Sequence, residues 1–215
     1  MQPQFKTESF SKLTIAEYLK LEQENEQRYE YYDGYAYAMA GGTAAHGRIS
    51  MNISGEVYMA LRGRGNCEIM NSDAKLYLEN KNSYVYPDAM TLCNAEESEE
   101  IKGAFTNPVV IIEVVSESTE AYDRGDKFGM YRGVESLKHY VLIKQDEAKI
   151  DVYSKQDVEK NRLPLWMIQT IEGLEGILEL EISPSEIVKI PLARIYDRVV
   201  FEGKKSEETE KKEKK

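Results

Sequence analysis

The chain has 215 residues, a formal net charge of −10, 41% hydrophobic residues and two cysteines. That length suits one domain with a substantial core, two cysteines are too few for a disulfide framework, and apolar runs of only a few residues exclude a membrane-spanning helix. An acidic chain argues against non-specific coating of DNA, which calls for a basic face, but leaves room for an enzyme that meets phosphate through a metal and a few local cations.

Thr14-Ile15-Ala16-Glu17 reads as a capping box, with Leu13 and Tyr18 placed as its hydrophobic staple, so a first helix is predicted over Ile15 to Asn25. Tyr29 to Met39 follows as two strand-like arms around an Asp33-Gly34 turn, a two-residue hairpin with Glu30 on its first arm. After Gly41-Gly42, the apolar positions Ile49, Ile53, Val57 and Leu61 recur every four residues, which predicts a helix from His46 to Arg62 ended by Gly63 and Gly65.

Glu68 to Glu79 and Tyr84 to Cys93 are predicted as successive strands of a meander around a Lys81-Asn82-Ser83 turn, the second strand carrying Pro87-Asp88. Beyond a polar connection, Asn94 to Asn107, the run Val109 to Val115 shows no alternation and reads as a central strand buried on both faces. A helix capped by Ser118 or Thr119 is expected to continue to about Gly133, with Lys127, Tyr131 and Val134 on its inner face. Strands over His139 to Ile143 and Lys149 to Tyr153, edge strands over Leu165 to Glu172 and Ile177 to Glu181, and a short helix over Leu192 to Val199 complete an α/β chain with a mixed sheet. One domain is expected over residues 1–202. The lysine- and glutamate-rich segment 203–215 has no apolar residue and reads as a disordered tail. The start, Met1 to Lys6, lacks an apolar signal region, so a reducing cytoplasm is the expected location.

Glu113 is the residue that demands an explanation, because an ionised carboxylate inside a buried strand needs a cation. Two candidates present themselves: a hard metal ion shared with Asp88, or Lys127 from the following helix.

The ordered series Tyr29-Glu30, Asp33-Gly34, His46, Pro87-Asp88, Ile112-Glu113-Val114-Val115-Ser116, Thr119, Asp123-Arg124, Lys127 and Tyr131 resembles the Uma-two family of restriction-endonuclease-like proteins, within the PD-(D/E)XK nuclease superfamily. The likeness spans Leu13 to Tyr153. It implies a restriction-endonuclease-like core, a mixed central β-sheet flanked by helices and preceded by an N-terminal helix and hairpin. It also implies Mg²⁺- or Mn²⁺-dependent hydrolysis of DNA phosphodiesters. In this resemblance Asp88, Glu113 and Lys127 are catalytic. Asp88, Glu113, the Val114 backbone carbonyl and, through water, Glu30 would hold the metal. The lysine usual two residues after the acidic residue is replaced by Val115, and Lys127 takes its place.

His46 and Asp123 are supporting residues, the latter steering Lys127 from one turn away. Arg48 and Arg124 are the candidate nucleic-acid contacts, in a set with Arg62 and Arg64 that otherwise reads as surface charge. The tyrosines of the hairpin are expected to pack a sheet face. Homodimerisation is the expected assembly, with no organic cofactor and no membrane partner. The competing reading is a catalytically inactive dimeric binding or scaffold protein that keeps the fold and a buried Glu113–Lys127 pair.

Overall fold

The computed structural model describes residues 12–39, 41–156 and 164–201. The N-terminal region is built as the sequence indicates. Helix α1 (Ile15–Asn25) opens with both halves of the capping box in place, Glu17 N–H donating to Thr14 Oγ1 and Thr14 N–H to the Glu17 carboxylate. Strands β1 (Tyr29–Tyr32) and β2 (Tyr35–Ala38) form the hairpin, and Asp33 and Gly34 both adopt positive φ, the conformation a tight two-residue turn requires. Helix α2 (Ala44–Leu61) buries Ile49, Ile53, Val57 and Leu61 along one stripe.

Two predicted strands are broken in the fold. Glu68 to Glu79 becomes β3 (Cys67–Asn71) and β4 (Lys75–Leu78), because a turn at Ser72-Asp73, in which Asn71 accepts from the backbone of Asp73 and Ala74, sends the halves into different sheets. Tyr84 to Cys93 becomes β5 (Ser83–Val85) and β6 (Ala89–Cys93). Pro87 has no N–H to give a ladder, so the chain leaves one sheet and enters the other there, and Asp88 sits in the break rather than within a strand.

The polar connection holds a short strand, β7 (Ala104–Phe105), and leads to β8 (Pro108–Val115), all eight of whose residues are buried. The expected single helix is a continuous helical segment in three parts: α3 (Glu120–Tyr122), a wide π turn (Asp123–Lys127) and α4 (Phe128–Tyr131). Its first residue follows Thr119, whose hydroxyl is turned back to the Ser116 N–H instead of capping the helix. Strands β9 (His139–Lys144), β10 (Lys149–Gln156), β11 (Leu165–Glu172), β12 (Ile177–Ser183) and β13 (Glu186–Pro191) follow, then α5 (Leu192–Ile195). Strand β13 had no counterpart in the sequence reading, and α5 is shorter than the expected 192–199. The tail 203–215 lies outside the described residues.

Six strands form the main sheet in the order β11-β10-β9-β8-β6-β3, parallel only between β8 and β9 and therefore mixed. A second sheet, β2-β1-β5-β4-β7, lies beside it, and β12 pairs with β13 as a separate hairpin. Side-chain alternation along β8 divides the interior. Val110, Ile112 and Val114 pack with α2, β12, β13 and α5, while Ile111 and Val115 pack with Leu76, Val85 and Tyr131 between the two sheets. Both faces of β8 are thus covered, the reason its sequence lacks a polar alternate. Glu113 has the parity of Ile111 and Val115 and points into the space between the sheets. Among the described residues no helix is long and apolar enough to cross a membrane.

Candidate active site

Four elements deliver charged side chains to one place. On β1 the period of two sends Tyr29 and Tyr31 into a tyrosine cluster with Tyr18 and Tyr84 and turns Glu30 and Tyr32 the other way. The hairpin tyrosines pack as expected at Tyr29 and Tyr31, whereas Tyr35 is exposed and Tyr32 serves the site. The Tyr32 hydroxyl donates to Glu30 Oε2 at 2.6 Å. Strand β8 contributes Glu113, and the helical segment contributes Asp123 and Lys127, both buried. In the π turn the Phe128 N–H reaches back to the Asp123 carbonyl, a wider loop than an α-turn; such wide turns often occur where a helix must re-aim functional side chains.

Lys127 is the hub. Its Nζ lies 2.8 Å from Glu113 Oε1, 3.5 Å from Glu30 Oε1 and 3.8 Å from Asp123 Oδ1. The Tyr131 hydroxyl, one turn further along the helix, donates to the same Glu113 oxygen at 2.9 Å. Asp88 completes the group from the β5–β6 break. Because Ala89 pairs with Ile112, Asp88 stands beside Glu113, and its Oδ2 accepts from the Val114 N–H at 2.7 Å. The same oxygen lies 3.1 Å from His46 Nε2. His46 occupies the first turn of α2, its own N–H held by the cap residue Thr43, and its ring lies so close to Gly42 that a Cβ there would sit 2.8 Å from Nδ1.

Exposure is graded across the group. The Glu113 and Lys127 side chains are 6% and 8% exposed, while Asp88 and His46 reach 15% and 27%, so the cluster opens to solvent on the Asp88–His46 side.

One lysine cannot compensate three neighbouring carboxylates plus Asp88. Burial, only partly offset by Lys127 and aggravated by Asp88 and Asp123, raises the Glu113 pKa to about 8. Burial also raises Asp123. Lys127 is held charged, since Glu113, Glu30 and Asp123 together outweigh the burial that would lower it. The hydrogen bond to Asp88 raises His46. A site that protonates a carboxyl to shed negative charge has the chemistry of one suited to an added cation.

The sequence-derived residues Glu30, Asp88, Glu113, Asp123, Lys127 and His46 therefore come together. Val114 donates its N–H to Asp88 within the group. Arg124 points away, its guanidinium bound by Glu120 and the buried Asp151, with Tyr153 beside it. Arg48 is exposed on α2. Among the described residues, no three His, Cys, Asp or Glu side chains are arranged as a ready metal cage. The oxygens of Glu113 and Glu30 are turned toward Lys127 and the tyrosines, whereas the hydrogen bonds to Asp88 among the described residues are made to Oδ2. Tyr32 was missed as a partner of Glu30, although its shared parity on β1 was visible in the sequence. Asp151, far along the chain on β10, carried no such signal.

A crystal structure titled as "a putative nuclease belonging to DUF820" from Anabaena variabilis superimposes with a TM-score of 0.64, covering 81% of this chain and 93% of the other at 12% identity, which establishes the common fold. Two proteins of Synechocystis sp. are close in sequence. "Uncharacterized protein slr1290" is 40% identical over 148 residues, covering 69% of this chain and 77% of its own length. "Uncharacterized protein sll1609" is 35% identical over 168 residues, or 78% and 92%. The family model described as "Uma2: Putative restriction endonuclease" matches residues 15–183, a span that contains every residue of the cluster, and the chain belongs to that family.

Proposed function

We propose that the protein is a metal-dependent endonuclease that hydrolyses DNA phosphodiester bonds. The observation that carries this reading is the convergence of Glu30, Asp88, Glu113 and Lys127 into one over-acidic cluster that opens to solvent beside Asp88. In this reading Asp88 and Glu113 would hold Mg²⁺ or Mn²⁺, with Glu30 acting through water and the Val114 carbonyl as a further oxygen. The hard oxygen donors fit such an ion, which needs only one or two carboxylates and keeps several waters. When bound, the metal supplies an activated water and offsets charge on the phosphate oxygens.

The chain's own residues have distinct tasks. Lys127 leaves Glu113 to face the scissile phosphate, where its ammonium neutralises charge and orients the attacking water. Asp123, one turn before it, and the Glu30 carboxylate limit the lysine's swing. Tyr131 and Tyr32 fix the rotamers of Glu113 and Glu30 through their hydroxyls. His46 holds Asp88 Oδ2, leaving Oδ1 for the metal. Two copies acting on the two strands of a duplex would be the natural assembly, and DNA the substrate.

A second reading, a non-catalytic binding or scaffold protein, is favoured by the closed Glu113–Lys127 contact at 2.8 Å and by the net charge of −10. A nicking assay on supercoiled plasmid separates the two. Cleavage is expected with Mg²⁺ or Mn²⁺, absent in EDTA, and abolished in Asp88→Ala. A well-folded protein that does not nick under any metal condition would favour the second reading.

A further inference from the structure

The two cysteines, read from the sequence as too few for a framework, form a single bridge. Cys67 opens β3 and Cys93 closes β6, and the two are registered directly opposite each other with their Cα atoms 4.0 Å apart and their sulfurs bonded. Three features of its surroundings bear on its chemistry. First, the strands do not depend on it for their alignment. Five residue pairs from Cys67↔Cys93 to Asn71↔Ala89 form the β3–β6 ladder. The flanking pair adds an Asn94 N–H to Asn66 carbonyl bond at 2.9 Å and an Asn66 to Asn94 side-chain bond at 2.9 Å. Opening the bridge therefore leaves both thiols facing each other, ready to close again.

Second, both cysteines are only partly buried and line a cleft of about 580 Å³ between the Arg64–Asn66 turn and the Ser183–Ile187 bend. Third, the cleft carries one cation and one carboxylate, Arg64, whose guanidinium has no side-chain partner among the described residues, and Glu186, along with the amides of Asn66 and Asn94. A cation lining the same cleft as the bridge draws in an anionic thiolate and favours the thiolate that leaves when the bridge is attacked.

We propose that Cys67–Cys93 is a reversible thiol–disulfide exchange site whose reaction partner is a small, anionic thiol admitted by this cleft. The attacking thiolate forms a mixed disulfide with one cysteine and releases the other as thiolate. A second small thiol then attacks the mixed disulfide, so that two thiols are oxidised to their disulfide while the protein bridge takes up two electrons and, at neutral pH, two protons. The site is independent of the proposed nuclease activity and stands or falls separately from it.

The test uses the full chain and glutathione as the probe. Thiols are alkylated in the native protein across defined ratios of reduced to oxidised glutathione and counted by intact mass. The count should rise from zero to two as reduced glutathione reaches millimolar levels and return to zero when oxidised glutathione is restored. The circular dichroism spectrum should stay constant throughout. Cys67→Ser or Cys93→Ser should trap one glutathione per chain. Arg64→Glu should slow reaction with glutathione by about tenfold while leaving reaction with uncharged 2-mercaptoethanol nearly unchanged. A bridge that yields only in denaturant would show a sealed structural disulfide and overturn the proposal. So would two free thiols under all conditions, or an Arg64→Glu effect equal for both thiols.

Discussion

Replacing Glu113 by glutamine tests the electrostatic reasoning without depending on catalysis. The amide keeps an acceptor for Lys127 and the Tyr131 hydroxyl at the position where the carboxylate now receives contacts of 2.8 and 2.9 Å, and removes one negative charge. Each tenfold change in proton affinity is worth about 1.36 kcal/mol, so moving this carboxyl from 4.5 to about 8 means that ionising it in the fold costs on the order of 5 kcal/mol. The folded pKa lies above the unfolded one. The native protein therefore binds the extra proton between these values, and wild-type stability falls as pH rises from about 4.5 to 8. The variant lacks that slope. Against this, removing one member of a buried ion pair commonly costs about 3–5 kcal/mol, through the charge left unpaired. Here Lys127 retains Glu30 at 3.5 Å and Asp123 at 3.8 Å, so it is not orphaned and the relief of repulsion wins. Urea denaturation from pH 5 to pH 9 should show Glu113→Gln equal to wild type at the acid end and more stable by about 2–4 kcal/mol at the alkaline end, while metal-dependent nicking is lost. A stability difference independent of pH, or a variant destabilised at pH 8, would refute the picture of an over-acidic cluster.

Lys127→Met should do the reverse. With Glu30, Glu113 and Asp123 left without their shared cation, the loss should approach about 3–5 kcal/mol at pH 8 and shrink toward pH 5 as Glu113 protonates, which the same urea series reads. In Asp88→Asn, the His46 pKa should fall back toward its ordinary 6.5, because the Asp88 hydrogen bond is the main cause of its rise. Proton NMR of the two histidines follows this directly. The wild-type histidine, with its raised pKa, contributes stability at acid pH that is lost as pH climbs through the folded value, and the variant should lack that contribution.

Local signals carried much of this protein. The capping box at Thr14 and Glu17, the Asp-Gly turn, the fourfold spacing on α2 and the unbroken apolar run of β8 each encode their element through contacts a few residues apart, so the elements could be read from the chain. The family motif likewise marked Asp88, Glu113 and Lys127 as partners. What the sequence could not supply was any feature that depends on which surfaces meet. Glu68 to Cys93 has the composition of two long strands, and only the tertiary fold decides that each half joins a different sheet, because strand pairing is settled by partners distant in sequence. The same holds for the loan of Glu30 and Tyr32 from the hairpin to a lysine nearly a hundred residues away, and for the capture of Arg124 by Asp151. The bridge between Cys67 and Cys93 follows only once β3 and β6 are registered side by side. Charges interact through space with a strength set by burial and distance. Residue types could therefore nominate the cluster, but only the packed structure gives Glu113 its raised pKa and Lys127 its three carboxylates.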